Sequence, residues 1–576
     1  MKNFLGYLAV FFLMIHPPVH SQTDDAAFSR ITDEFLKGYF AAHPIYATGI
    51  GMHDYDSLLD DVSLAGRETE GKRLRLFREK LSDIDVRRLS PSAAVDHGIL
   101  LASIDQMIFA QDELQEDGWN PTIYTGAVGD ALAGLIYQDF APADERLRNA
   151  AGRLRRIPLF IEQAEANLTD APKLYVETAI SQNSGAMDLI RGDLLGLRST
   201  LTPDRQAEIS AAADTALTAL AGFGRWLEGT LLPRAVRDPR LGRALYEKKL
   251  RATLTESLTA DEILARAWSE VRRIHAEMYA QARQLYGDYF HSDPALVDSL
   301  TVIRSVLDHI AAEHPRKEFL MDTIKVILGE LEHFVAARNL LTLDPQHPIM
   351  IRETPAYERG VFVASMEAPG PLERNGKSYF NVTPVPDDWS PAQTESFLRE
   401  YNSWSLRDLS IHEGIPGHYV QLYYANRTPS LIRSLFGSGA MVEGWAVYAE
   451  RMMTDAGYMN GDPRMKLINL KWYLRTVLNA IIDQGYHISG MTEAEMTSLL
   501  MKEGFQEERE AAGKFRRAAL TSVQLSTYFV GFQEVMDCRT AYEHRQGASF
   551  SLREFHEKFL SFGSIDVKYI RDLMMK

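Results

Sequence analysis

The residues most capable of chemistry lie between positions 408 and 450. His412 and Glu413 are adjacent, His418 follows six positions after His412, and Glu443 lies twenty-five positions beyond His418. Two imidazoles and one carboxylate are a usual protein ligand set for a catalytic zinc ion, which keeps a fourth position for water. A glutamate beside the first histidine is where zinc peptidases hold their general base. The pattern predicts one zinc ion bound by His412, His418 and Glu443, with Glu413 as the catalytic base.

The spacing of the two histidines differs from that of the common His-Glu-x-x-His motif, whose histidines share one helix face. On an ideal helix, a separation of six residues would leave the two side chains about 120° apart. Pro416 and Gly417 stand between them, and proline interrupts a helix while glycine tolerates backbone angles that other residues avoid. We therefore predict a bulged or broken helix at this point, which returns His418 toward His412. The alternative is a buried structural pair of histidines that is hydrogen-bonded to the backbone.

Several segments of the chain resemble a known family. HEGIPGHYVQ followed by EGWAVYAE resembles the domain-of-unknown-function 885 family, which is grouped with the gluzincin-like zinc metallopeptidases. Weaker similarity covers HPIYATGIGMHDYDS near the start and DQGYHISGMT, VQLSTYFVG and FHEKFLSFGS near the end. The resemblance therefore extends over nearly all of the mature chain. It implies a zincin-like zinc hydrolase and leaves the substrate open.

The helical sequence after Pro463 contains a polar set within apolar surroundings, and this set resembles the C-terminal motifs of the family. The resemblance implies that some of its members face the metal. Gluzincins place a tyrosine or a histidine opposite the metal to stabilise the oxyanion, so Tyr528 and His487 are the candidates for that catalytic role. Each of these residues, taken alone, is equally compatible with a structural position.

The same set supplies candidates for substrate binding and for the support of the metal ligands. Arg475 and Arg516 are the candidates for binding substrate. Glu450 lies two helical turns after Glu443, hence on the same face, and it could orient a group near the metal. Asp483 is a second candidate for that supporting role. A solvent-facing position is the alternative for Glu450.

The expected fold is mainly α. From residue 65 to 340, apolar residues recur at helical spacing, and Thr259 and Glu262 form the pattern of a capping box. The charged side chain of Arg153 is expected on a solvated helix face. We find no linker that divides the chain, so we predict one α-helical domain over residues 22–576, or two lobes of it around a cleft.

Residues 346–389 differ from their helical surroundings. The segments 360–366 and 378–383 are short and rich in β-branched and aromatic residues, with a Pro/Gly-rich turn between them. They predict a small β-hairpin or sheet beside the metal helix. An edge strand in that position could pair with an extended peptide substrate, although a sheet that only packs against the helix is the alternative.

Composition excludes some classes of partner. Hydrophobic residues make up 45% of the 576 residues and charged residues 24%, as in soluble globular proteins. The net charge of −16 argues against binding to nucleic acid or to an anionic membrane surface. No segment after the N-terminus is expected to span a membrane.

The first 21 residues are predicted to be a secretion signal. Met1-Lys2-Asn3 gives a positive start, and residues 4–15 form an apolar core too short to span a bilayer comfortably. Cleavage is expected near Ser21–Gln22, and an uncleaved anchor is the alternative. Since the only cysteine is Cys538, we predict no lipoprotein anchor and no intrachain disulfide. The expected location is the periplasm or the medium, without membrane insertion after cleavage.

These features together predict an exported zinc-dependent hydrolase that cleaves peptide bonds of short peptides by metal-activated water. One alternative is a zinc amidohydrolase acting on other amides, such as peptidoglycan fragments or acylated amino acids. The other is a helical binding protein without catalytic activity. The sequence leaves the oligomeric state and the choice between terminal and internal cleavage open.

Overall fold

The computed structural model describes residues 20–254, 258–355, 363–373 and 376–575. The predicted secretion signal, residues 1–21, lies outside the described residues except at its last two positions. Positions 360–362 of the first predicted strand also lie outside them. The mainly α fold is confirmed, because helices make up most of the described chain and the strands form one small sheet.

The chain begins with helices of a first lobe. Two of them start at serine caps, since the Ser63 side chain accepts a hydrogen bond from the Gly66 amide and the Ser90 side chain accepts one from the Ala93 amide. The helices are α1 (His20–Ala42), α2 (Pro44–Gly49), α3 (Leu64–Ser82) and α4 (Pro91–Phe109).

The region that contains α4 corrects one expectation. The helical stretch Pro91–Gly118 is long and apolar enough to cross a membrane by length and composition, although we expected no such segment. Its acidic residues are paired with other parts of the fold, because Asp96 accepts from Arg433 at 2.6 Å and Asp105 from Arg78 at 2.5 Å. In this structure the stretch is therefore a packed helix of the first lobe.

A second lobe follows and has its own hydrophobic core. This core is separate from that of the first lobe and includes Leu132, Leu154 and Phe223, all fully buried. The helices of the second lobe are α5 (Thr122–Tyr137), α6 (Ala143–Leu154), α7 (Ile157–Asn167), α8 (Lys173–Leu189), α9 (Leu195–Leu197) and α10 (Pro203–Trp226).

The chain leaves the second lobe close to where it entered. Lys248 lies 2.5 Å from Glu113, and Lys249 lies 3.6 Å from Glu116. We call this place, formed by residues 113–116 and 248–249, the neck. The remaining helices before the sheet are α11 (Gly242–Thr253), α12 (Ala260–Phe290), α13 (Ser299–Ala311) and α14 (Leu320–Ala337), and the capping box at Thr259 is confirmed.

Arg153 also joins the lobes, and the expectation of a solvated side chain was wrong. Its side chain has no exposed surface, and its guanidinium donates to the carbonyl oxygens of Pro44, Leu58 and Ala131 and to the Thr48 hydroxyl. Burial of a charged group is tolerated here because its N–H groups find acceptors from both lobes.

The sheet has three strands, β1 (Ile349–Glu353), β2 (Ala364–Glu367) and β3 (Ser378–Val382), in the order β1-β3-β2. The predicted hairpin corresponds to β2 and β3, which pair antiparallel. We did not predict β1, which pairs in parallel with β3. As an edge strand, β2 lies against the helices Ser405–Glu413 and His418–Ala425.

The C-terminal region of the first lobe contains the predicted metal helices and the long buried helix α20. Its helices are α15 (Pro391–Glu400), α16 (Ser405–Glu413), α17 (His418–Ala425), α18 (Leu431–Leu435), α19 (Gly439–Asp455), α20 (Pro463–His487), α21 (Glu493–Lys502), α22 (Glu508–Leu520), α23 (Gln524–Gln546), α24 (Leu552–Ser561) and α25 (Val567–Met574).

Candidate metal centre

The predicted interruption between the two histidines is confirmed. Helix α16 ends at Glu413, four residues are not helical, and α17 begins at His418. The Gly417 amide donates to the carbonyl oxygen of Ile411 at 2.9 Å, and a Cβ atom at Gly417 would overlap the carbonyl oxygen of His412. Glycine is therefore required where the chain doubles back on α16.

The chain reversal brings three potential ligand atoms together. Glu443 Oε2 lies 3.6 Å from His412 Nε2 and 3.4 Å from His418 Nε2. Zinc–nitrogen distances of about 2.0–2.1 Å in a tetrahedral site place neighbouring ligand atoms about 3.4 Å apart. The donor types, and the two distances to Glu443 Oε2, are therefore compatible with a zinc site.

The hydrogen bonding of His412 fixes the protonation of the ring nitrogen that faces away from Glu443. His412 Nδ1 lies 2.6 Å from Glu450 Oε1, and Glu450 is only 2% exposed. Since a carboxylate only accepts, Nδ1 carries the proton. Glu450 therefore holds the ring as carboxylates hold metal-binding histidines, and the alternative of a solvent-facing Glu450 was wrong.

Glu443 Oε2 has no hydrogen-bond partner in the part of the chain that the structure describes, although it is buried. A buried acceptor without a partner is costly, and here it faces two imidazole nitrogens. A metal cation between these three atoms would satisfy all of them. The alternative of a histidine pair bonded to the backbone does not fit, because both rings face carboxylates.

The electrostatics of the site also require positive charge. Burial lowers the pKa of His412, but Glu443 and Glu450 outweigh this effect and the pKa rises well above its usual value. Burial raises the pKa of Glu443, but His412 and His418 outweigh it and the pKa falls far below the usual range. A shared metal cation would meet the same requirement as a proton on an imidazole.

The role of Glu450 can be tested through metal affinity. We expect Glu450→Gln to weaken zinc binding by about 10- to 100-fold, because the amide no longer makes His412 a more basic ligand. Titration against a chromogenic chelator measures the zinc dissociation constant. Asp455→Asn removes the same charge from the exposed end of the same helix and should leave the affinity unchanged. Equal losses in the two variants would show that Glu450 acts only through net charge.

Glu413 lies where a general base could work. Its carboxylate belongs to a group with His412 and His418 whose potential ligand atoms all lie within 4.8 Å of one another. The side chain is half-buried. Burial raises the pKa of Glu413 and outweighs the opposing effect of His418 and His412. A raised pKa suits a base that must accept a proton near neutral pH.

A close crossing of α19 and α23 places Tyr528 beside the ligands. A Cβ atom on Gly444 would overlap the backbone of Gly531, and one on Gly531 would overlap the carbonyl oxygen of Ala440. Near this contact, the Tyr528 ring lies 6.3 Å from the ring of His412 and nearly parallel to it. Of the two candidates for the oxyanion, Tyr528 is thus the one brought to the three predicted ligands.

His487, the other candidate, is held by backbone groups. Its Nε2 lies 2.6 Å from the Thr521 carbonyl oxygen and 3.0 Å from that of Ala518, while Nδ1 lies 3.5 Å from the Leu241 amide. Both nitrogens face backbone groups, although His487 also lines the cavity that reaches Glu443. Burial lowers the pKa of His487, which favours the neutral ring. The structure therefore gives His487 a structural position.

Asp483 is likewise not brought to the metal ligands. Its carboxylate accepts from the hydroxyls of Tyr246 and Ser526, both at 2.8 Å, and from the Val523 amide at 3.2 Å. These contacts tie α20 to α11 and to the start of α23. The structure therefore does not support the expected role in orienting the metal ligands, because the hydrogen bonds of Asp483 go to Tyr246, Ser526 and Val523.

The two arginine candidates differ in position. Arg475 is largely buried and pairs with Glu510 at 2.6 Å. Arg516 is exposed and donates to the Thr178 hydroxyl of the second lobe, so it is not near Tyr528. The adjacent Arg517, which we did not single out, donates to the Tyr528 hydroxyl at 2.7 Å. The sequence could not distinguish neighbours that point to different sides of α22.

A cavity of about 630 Å³ reaches Glu443 between the two lobes. Trp119 and Tyr175 from the second-lobe side and Lys249 from the neck line it. The indole and phenol rings of Trp119 and Tyr175 pack edge to face with centroids 5.4 Å apart. The cavity is large enough for a small peptide and offers both apolar and charged walls.

Comparison with known proteins places the chain in a family. The model of a family described as bacterial protein of unknown function (DUF885) matches residues 44–574. The chain belongs to the DUF885 family. No curated protein matches the chain.

Two solved structures resemble this DUF885 protein over nearly their whole length. One is described as a "putative lipoprotein of unknown function" from Shewanella oneidensis, with 36% identity and a TM-score of 0.80 over 95% of this chain and 100% of that one. The other is described as a "putative lipoprotein" from Colwellia psychrerythraea, with 16% identity and a TM-score of 0.78 over 96% and 98% of the two chains. The second similarity concerns the fold alone.

Proposed function

We propose that this DUF885 protein is a zinc-dependent hydrolase that cleaves peptide bonds in short peptides, with a gluzincin-like metal site. The observation that carries the proposal is the position of Glu443 Oε2. This buried oxygen has no hydrogen-bond partner among the described residues and faces the Nε2 atoms of His412 and His418 at 3.6 and 3.4 Å. Donor types, spacing and the support of His412 by Glu450 all suit zinc.

Each side chain of the site has a separate role in the proposed hydrolysis. His412, His418 and Glu443 would hold the zinc ion, which would supply the Lewis acid that activates water for attack on a carbonyl group. Glu413 takes the proton from the attacking water and later gives it to the leaving amine. Tyr528, with Arg517 on its hydroxyl, stabilises the negative charge that develops on the substrate oxygen.

Two features support a peptide as the substrate. Strand β2 is an edge of the sheet and lies against α16 and α17, so an extended peptide could add to it through main-chain hydrogen bonds. The cavity beside Glu443 offers the aromatic pair of Trp119 and Tyr175 to a substrate side chain.

We also propose that the protein is exported and not anchored by lipid. The N-terminal segment has a basic start and a short apolar core, and each of the two solved structures is described as that of a "putative lipoprotein". No cysteine lies near the predicted cleavage site of this chain. N-terminal sequencing of protein recovered from cell fractions tests this, and an intact Met1 on cytosolic protein would refute it.

The function is tested on protein purified without chelator and without a nickel affinity step. We expect one zinc ion per chain in the purified protein, and we expect His418→Ala to lose it. Digests of a library of short peptides and of muropeptide fragments, analysed by mass spectrometry, then identify the substrate class. Peptide cleavage that stops on zinc removal and returns on zinc addition is the expected result.

Two other outcomes would replace the proposal. Cleavage of muropeptides or acylated amino acids without cleavage of ordinary peptides would identify a zinc amidohydrolase. Wild-type protein that holds no zinc and cleaves neither library would identify a helical binding protein.

A further inference from the structure

Beyond its first turn, the helix α20 has one residue that is not buried. From Leu467 to His487, all residues are buried except Arg475. The Arg475 side chain keeps 16% of its surface exposed and pairs with Glu510 of α22 at 2.6 Å. Its Nη1 atom is buried and has no hydrogen-bond partner among the described residues.

Two cations from α22 accompany Arg475. Lys514 and Arg517 are three residues apart and share a face of that helix. Arg517 donates to the Tyr528 hydroxyl at 2.7 Å, which connects this group to the metal site. We call Arg475, Lys514 and Arg517 the cationic cluster.

The negative charges near the cationic cluster are already in use. Lys471 holds Glu400 at 2.9 Å, and Arg399 lies 3.6 Å from Glu507. Arg475 holds Glu510 at 2.6 Å. The Glu510 carboxylate also accepts a hydrogen bond from the Tyr401 hydroxyl at 3.1 Å.

Lys514 has only a distant share of one of these carboxylates, because Glu510 is held more closely by Arg475. It is 4% exposed, and its Nζ lies 3.9 Å from Glu510, beyond hydrogen-bond distance. Within the described residues, its ammonium group donates no hydrogen bond. Burial, followed by the charges of Arg475 and Arg517, lowers the pKa of Lys514 well below its usual value. A network that only tied α20 to α22 would gain nothing from this extra cation.

We propose that the cationic cluster binds the free C-terminal carboxylate of the peptide substrate. The inference rests on the proposed function and narrows its substrate class to peptides cleaved near their C-terminus. A carboxylate would give Lys514 the acceptor that it lacks and would be oriented relative to Tyr528 through Arg517. Released products would be single amino acids or very short C-terminal fragments, and internal cleavage of long chains would be disfavoured.

The test uses pairs of N-acetylated tripeptides, each made as the free acid and as the C-terminal amide. Binding is measured by calorimetry on zinc-loaded Glu413→Gln protein, which cannot turn the peptides over under the proposed mechanism. A charge-assisted hydrogen bond corresponds to about tenfold to a hundredfold in affinity. We expect the acids to bind more tightly than the amides by that factor.

Substitutions test whether the cationic cluster causes the preference for free acids over amides. Adding Lys514→Met should reduce the ratio of acid to amide affinity to near one, whereas Lys514→Arg should preserve it. Arg516→Ala, on the same helix but directed to the second lobe, is the matched control and should keep the full ratio. Zinc content and the unfolding midpoint show whether each variant is folded.

The outcomes separate this inference from the proposed function. Equal affinity for acids and amides, no binding of either, or an unchanged ratio in folded Lys514→Met would overturn the carboxylate site. Hydrolysis of acids and amides alike by the wild type would uphold the hydrolase and reject the site. A clear preference for acids in binding, without hydrolysis by the wild type, would uphold the carboxylate site and reject the hydrolase. The comparison of acid and amide decides the matter even where Lys514→Met does not fold.

Discussion

Glu413→Gln is expected to retain zinc and to lose most of the turnover. The side chain lies beside His412 and His418, and in the proposed site His412, His418 and Glu443 would supply the three protein ligands. Glutamine has the same shape but cannot accept the proton of the attacking water. General acid–base catalysis typically accelerates a reaction by about a hundredfold to ten-thousandfold. The turnover rate should therefore fall by about a hundredfold or more.

Zinc content and hydrolysis rate measured on one preparation decide between base and structural roles for Glu413. His418→Ala is the contrasting variant, because it should lose both zinc and turnover. A Glu413→Gln protein with full zinc and a nearly normal rate would remove Glu413 from the mechanism. Loss of zinc in Glu413→Gln would instead make this residue a ligand.

Gly531→Ala is expected to destabilise the protein by about 3 kcal/mol, at the upper end of the cost of overpacking. The added methyl group would overlap the carbonyl oxygen of Ala440, a backbone atom that cannot rotate away. Helices α19 and α23 would have to separate, which would also move Tyr528 away from Glu443. We therefore expect a fall in turnover in addition to the lower stability.

Chemical unfolding of Gly531→Ala and of a control variant measures this effect. Gly513→Ala is the control, because Gly513 lies on α22 with no atom within 4 Å of the added Cβ. The control should be neutral or more stable by up to about 1 kcal/mol, since alanine is the better helix former. Similar losses in both proteins would mean that the crossing tolerates a methyl group.

The sequence predicted the features that depend on local chemistry. The capping box at Thr259 and the interruption at Gly417 follow from neighbouring residues, and both are present. The approach of the two histidines to Glu443 could also be predicted, because the residue types suggested a shared site and the interruption at Pro416 and Gly417 allowed the histidines to meet there.

The misassigned residues depend on partners far away in the chain. Arg153 is buried because carbonyl groups from both lobes meet its guanidinium. Asp483 and His487 are occupied by groups of α11 and of the segment before α23. Polar residues of this kind look identical in sequence whether they serve a site or a helix contact, since only the tertiary packing decides.

Strand β1 and the choice between neighbouring arginines were missed for a related reason. Parallel pairing of β1 with β3 requires a long connection between the two strands, and no local sequence pattern predicts such a connection. Arg516 and Arg517 differ by about 100° around α22, so a small rotation of that helix decides which one meets Tyr528.

The neck between the lobes affects how the second lobe can change during evolution. The chain enters the second lobe near Glu113 and leaves it near Lys248, whose side chains are 2.5 Å apart. An insertion whose ends meet costs the host little loop-closure entropy. The second lobe can therefore be gained, exchanged or enlarged by recombination at one place, while the proposed metal ligands on α16, α17 and α19 keep their own core. Relatives that differ in the walls of the cleft can arise without alteration of the residues of the proposed metal site.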